Sequence, residues 1–154
     1  MVNTAHLLAQ HDGLRVLLHQ AIDQWTARPG PRRTEVLQAV HRYASSMIDG
    51  ELETLYSQLV LMADPNLRAL AQELLEGLTE LRERVGRLVL DWPPERQAIE
   101  PDTLLAELDN LSTAALMWME LEEEALFPLL DYPSPANWQE LETLFAMMPT
   151  PSVE

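Results

Sequence analysis

Between four proline-bearing breaks, the apolar residues of this chain recur at spacings of three and four rather than two. The breaks are RPGP at 28–31, DP at 64–65, DWPP at 91–94 and DYPSP at 131–135. The first segment carries Leu7, His11, Leu14, Leu18, Ile22 and Trp25. The second carries Val36, Val40, Ala44, Met47, Glu51, Leu55 and Leu59, and the third Leu67, Leu70, Leu74, Leu78, Leu81, Val85 and Leu88. The fourth carries Leu104, Leu108, Leu111, Ala115, Trp118, Glu122, Leu126 and Leu129. Each set is one stripe of an amphipathic helix, and no segment alternates as a half-buried strand does. Four such helices on mostly short connections favour antiparallel neighbours, so the expected fold is all-α, an up-down-up-down four-helix bundle. Asp102 and Thr103, after Pro101, are the expected N-cap of the fourth helix. The bundle is expected over residues 1–131, followed by a Pro-rich tail, 132–154, with a short amphipathic helix of its own.

Composition narrows the chemistry. With 154 residues, 47% of them hydrophobic, the chain can bury one domain-sized core. The absence of cysteine removes disulfides, thiolate metal sites and cysteine nucleophiles. All ten basic residues are arginine, so Schiff-base chemistry and a Walker phosphate loop are also excluded. Against them stand 25 acids, a formal charge of −15, which repels nucleic-acid phosphates and anionic membrane surfaces. Residues 101–154 hold eleven acids and no base, a face suited to a basic or neutral protein partner. The N-terminal stretch lacks a cationic start followed by an apolar block, and no apolar run reaches membrane-spanning length, so the expected compartment is the cytoplasm.

The chain also repeats itself. ASSMIDGELETLYSQL (44–59) aligns without gaps to ALMWMELEEEALFPLL (115–130) at an offset of 71 residues. Ala44 pairs with Ala115, Glu51 with Glu122, Leu55 with Leu126, Tyr56 with Phe127 and Leu59 with Leu130. The second and fourth helices are therefore related.

Three polar residues interrupt the apolar stripes: His11, Glu51 and Glu122. A carboxylate buried without a partner is costly, so each needs a proton, a hydrogen bond or a metal. Counted from the first connection at about 1.5 Å per residue, His11 and Glu51 differ in height by about one turn, and the repeat brings Glu122 to the same layer. Glu123 and Glu124 fall off the stripe and are expected on a solvated face.

The residues around this layer resemble a known family. LLAQHDGLRVLLHQAID looks like the first helix of bacterial hemerythrin-like domains, and GELETLYSQL and LEEEALFPLL look like the ends of that family's second and fourth helices. The resemblance covers about residues 5–130 and implies a bundle that holds a non-haem di-iron centre through histidines and a pair of carboxylates. It implies functions in oxygen binding, in sensing oxygen or redox state, or in iron-centre repair. Carried over, His11 matches the first-helix ligand, and Glu51 and Glu122 the carboxylates. Where the family has histidines one turn before each carboxylate, this chain has Met47 and Trp118; on the third helix it offers Leu78, Leu81 and Arg82. All four histidines (His6, His11, His19, His41) lie in the first 41 residues, and His41 is about 15 Å along the axis from Glu51.

Two irons need more donors than this layer holds. The expectation is therefore a bundle with a degenerate site and no functional metal, acting as a non-catalytic binding or regulatory protein through a protein partner. The alternative is one iron, or another divalent metal, held by His11, Glu51 and Glu122 in a sensor or carrier of oxygen, nitric oxide or redox state. A homodimer stays open. In the tail, Trp138, Leu141, Phe145 and Met148 share one side of a short helix that must bury that side, against its own bundle or against a partner.

Overall fold

The computed structural model describes residues 4–27, 30 and 32–147, and among these there are helices and no strand. Helix α1 (Ala5–Thr26) is followed by α2 (Arg32–Glu51), which does not stop at Glu51. A π turn, Leu52–Tyr56, and a closing turn, Ser57–Leu59, continue it. Helix α3 (Pro65–Leu90) is capped by Asp64, whose carboxylate accepts from the backbone N–H groups of Asn66 and Leu67. Pro65 fills the first helical position, where no N–H is needed.

A short helix, α4 (Pro94–Ile99), occupies the stretch between the third and fourth segments. Helix α5 (Pro101–Leu121) then opens at Pro101 itself, so Asp102 and Thr103 lie in its first turn rather than at its cap. It too continues through a π turn, Glu122–Leu126, into Phe127–Asp131. Helix α6 (Pro135–Met147) completes the described chain. No helix among the described residues is long and apolar enough to cross a membrane.

Helix α1 packs on α2 and α5, and α3 packs on the same two, so the four long helices close a ring around Leu14, Leu18, Val40, Leu78, Leu111 and Ala115. The buried stripes follow the sequence periodicity with single-residue slips. Ala21, Leu37 and Ala71 take the inward places beside Ile22, Val36 and Leu70, as the 3.6-residue repeat drifts against a strict three-four spacing. After the second π turn, Leu130 is buried and Leu129 is 44% exposed, because the widened turn adds a residue to the count.

The two π turns fall at matching places in the sequence repeat, directly after Glu51 and directly at Glu122. Pro128 accounts for the second: it has no N–H to donate, and its ring would clash with the carbonyl one turn back in a regular helix. At the equivalent place in the first repeat stands Ser57, whose hydroxyl donates to Glu53 O (2.6 Å), while Thr54 donates to Gly50 O (2.6 Å).

The tail helix lies on its own chain, against the first π turn. Its inward face runs Asn137, Leu141, Leu144, with Leu141 wholly buried. Of the face expected from sequence, Trp138 and Phe145 are half-buried flanks, and Met148 lies outside the described residues. Asn137 Nδ2 donates to Asp64 Oδ2 (2.9 Å), and the rings of Phe145 and His6 pack edge-to-face. Thr4 donates its backbone N–H and its hydroxyl to Asp131 (3.0 and 2.8 Å), fastening the start of α1 to the end of the α5 extension.

Candidate metal centre

His11, Glu51 and Glu122 meet in the interior, each offering one ligand atom within 4.8 Å of the others. His11 comes from the second turn of α1, Glu51 from the last turn of α2 before its π turn, and Glu122 from the opening of the second π turn. None is more than 2% exposed. His11 Nε2 stands 2.9 Å from Glu122 Oε1 and 3.9 Å from Glu51 Oε1. The closer approach is an ion pair when the ring is protonated, but it lacks hydrogen-bond geometry. His11 Nε2, Glu122 Oε1 and both oxygens of Glu51 therefore have no hydrogen-bond partner. A buried polar atom left unpaired costs about 1–3 kcal/mol, and native interiors hold few. Four of them converge here.

The outward-facing atoms of the same residues are, by contrast, held. His11 Nδ1 lies 2.8 Å from Glu123 Oε2, an oxygen that also accepts from Arg15 Nη2. With Arg15 beside it Glu123 is an ionised acceptor, so Nδ1 keeps its proton, and the ring presents a lone pair at Nε2 once Nε2 gives up its own proton. Arg15 is in turn paired with Asp12 (3.0 Å). The Tyr56 hydroxyl donates to Glu122 Oε2. The Phe127 ring stacks on His11 at 5.4 Å, and Trp118 lies 5.9 Å from it. Glu123 is thus no solvated bystander. On the π turn, neighbouring residues Glu122 and Glu123 reach opposite edges of one imidazole. The available signal was Arg15, one turn after His11 on the same face, opposite an acidic run.

The electrostatics follow from burial and crowding. Burial disfavours the His11 imidazolium, but the carboxylates of Glu122, Glu51 and Glu123 outweigh it and hold His11 up at about 10. Burial and then the Glu51 charge push the Glu122 carboxyl well above its ordinary value, against the opposing pull of His11. Burial first, and then Glu122 and Glu51, push the Tyr56 phenol far up as well. Glu123 moves the other way: burial is outweighed by His11 and Arg15, which keep it low.

The far side of the layer is dry. Met47, Leu78, Leu81 and Trp118 line an apolar void of about 10 Å³, at the lower limit for a single water. Trp118 is locked there by its Nε1–H, which donates to Leu74 O (3.0 Å), and by Gly77, where a Cβ would stand only 3.0 Å from the indole. Arg82 pairs with Asp49 (2.8 Å). His19 forms an exposed pair with Asp23 at 3.4 Å. The residues present therefore fit one divalent cation, with one imidazole and two carboxylates, and do not fit two.

The chain matches no family model, no curated protein and no solved structure.

Proposed function

We propose that this chain is a hemerythrin-like four-helix bundle that keeps half of a di-metal centre and holds one divalent cation on His11, Glu51 and Glu122. The carrying observation is the convergence of three wholly buried ligands whose facing atoms make one ion pair, His11 Nε2 with Glu122 Oε1 at 2.9 Å, and leave both Glu51 oxygens unspent, while the outward atoms of His11 and Glu122 are held. Without a metal the Glu51 carboxylate stays buried and unpaired, 3.9 Å from the His11 ring. A cation of charge +2 neutralises the two carboxylates and gives Nε2 and the glutamate oxygens a common partner. The ring of α1, α2, α3 and α5 and the duplicated helix–π–helix segments support the bundle assignment.

The protein's role on this reading is regulatory rather than catalytic. Bound iron supplies a centre that responds to oxygen, nitric oxide or redox state. The chain's own residues bind and orient it: Glu123 and Arg15 fix the imidazole, Tyr56 fixes Glu122, and Trp118 and Phe127 exclude water. The exposed acids of the base-free C-terminal third, among them Asp102, Glu107, Asp109, Glu120 and Glu124, are what the chain offers to a protein partner.

Titration of the chelator-treated chain with Co²⁺ tests the assignment. One equivalent with a visible d–d spectrum is expected, lost in His11→Ala and kept in His41→Ala. Absence of binding, or two tight equivalents, overturns it.

A further inference from the structure

Beside Glu51 a cavity of about 70 Å³ lies between α1 and α2, walled by His6, Gln10, Ser46, Gly50, Glu51 and Thr54. Its walls pass from exposed Ser46 and Gly50 to buried Glu51, so it leads from the surface toward the centre and ends at Glu51. A water needs about 10–15 Å³ of such space, so the cavity holds several. Two polar groups of its wall residues are unspent, both Glu51 oxygens and Nε2 of His6, each buried just behind the cavity surface; the His6 ring packs edge-to-face with Phe145, centroids 6.5 Å apart. Elsewhere the centre is flanked by the rings of Trp118, Phe127 and Tyr56 and by Arg15, whose charge repels a cation.

Resting on the metal reading above, we propose that this cavity is the port through which a divalent cation reaches the centre. His6 is its outer ligand and Glu51 the inner ligand that hands the ion to His11 and Glu122. A partly hydrated cation fits the space; a turn of the His6 ring lets it exchange a water for Nε2, and a turn of the Glu51 side chain then offers a carboxylate whose oxygens accept no hydrogen bond. The acidic chain draws cations toward the mouth.

Gly50 provides the test. A Cβ built there meets nothing within 4 Å, and replacing a glycine near a helix end does not disfavour the helix, so Gly50→Leu plugs the mouth of the cavity without a clash at its base. Stopped-flow Co²⁺ binding to the full chain is expected to slow by about tenfold or more in Gly50→Leu, in both association and dissociation, with Kd held. Gly50→Ala should bind at the wild-type rate, and His6→Ala should slow association. Wild-type rates in Gly50→Leu at unchanged Kd, or a weaker Kd with unchanged association, overturn the port while leaving the metal site standing. Failure of the wild-type chain to bind Co²⁺ overturns both.

Discussion

Tyr56 of the first repeat donates its hydroxyl to Glu122 of the second, while Phe127, its counterpart in the second repeat, has no hydroxyl to return to Glu51. The duplicated segments thus support each other unequally. Glu122 has one oxygen held and one free, whereas Glu51 has both free. Phe127 instead lays its ring on His11.

Tyr56→Phe is expected to strand Glu122 Oε2 and lower the free energy of unfolding by about 1–3 kcal/mol, read from denaturant midpoints. The reciprocal change, Phe127→Tyr, restores the missing half of the pattern. It is expected to raise the midpoint of the metal-free protein. A drop would show that the repeat's symmetry does not extend to the Phe127–Glu51 pair.

Glu51→Met should separate stability from binding. It removes two unpaired buried oxygens and replaces them with packing of similar volume, so the metal-free protein is expected to gain about 1–3 kcal/mol. Cation affinity should be lost in the same variant. A large loss of stability would mean that the carboxylate is paired in solution.

The pH dependence of the metal-free protein has a defined sign. His11 titrates at about 10 in the folded chain against 6.5 in the unfolded one, so between those values the native state holds the extra proton. Its contribution is whole below about pH 6.5 and is lost as pH rises through about 10. Glu122, raised toward its neutral form, acts in the same direction. Unfolding midpoints measured in chelator should fall across this window, and His11→Gln should flatten the fall.

Cation binding should run opposite to that profile. The ion needs Nε2 bare and both carboxylates ionised, so binding releases protons, and apparent affinity should climb with pH over the same window. Isothermal titration in two buffers of different ionisation enthalpy counts the protons. A value of zero contradicts the geometry of the centre.

The tail helix is expected to stabilise the chain that carries it. Leu141→Ala removes a wholly buried side chain and should cost about 2–5 kcal/mol. Deleting residues 133–154 should lower the melting temperature and expose apolar surface that binds a hydrophobic dye. A deletion variant with unchanged stability would show that α6 is dispensable to the fold.

Helix positions were legible in the sequence because helical periodicity and proline punctuation are local properties. The stripes containing Leu14, Val40, Leu78 and Leu111 are buried as their spacing requires. The three polar residues on those stripes, His11, Glu51 and Glu122, were legible for the same reason: each breaks an apolar pattern at a core position. Counting residues from the first connection puts His11 and Glu51 about one turn apart in height, and the sequence repeat brings Glu122 to the same layer. Glu123, Arg15 and Tyr56 as supports of the centre were decided only by tertiary structure. So were the indole of Trp118 against Leu74, the π turns beside both glutamates, and the tail face turned to Asn137, Leu141 and Leu144. These depend on the rotation and axial register of one helix against another. A single extra residue in a π turn shifts which side chain faces inward, and no spacing within one segment records that shift.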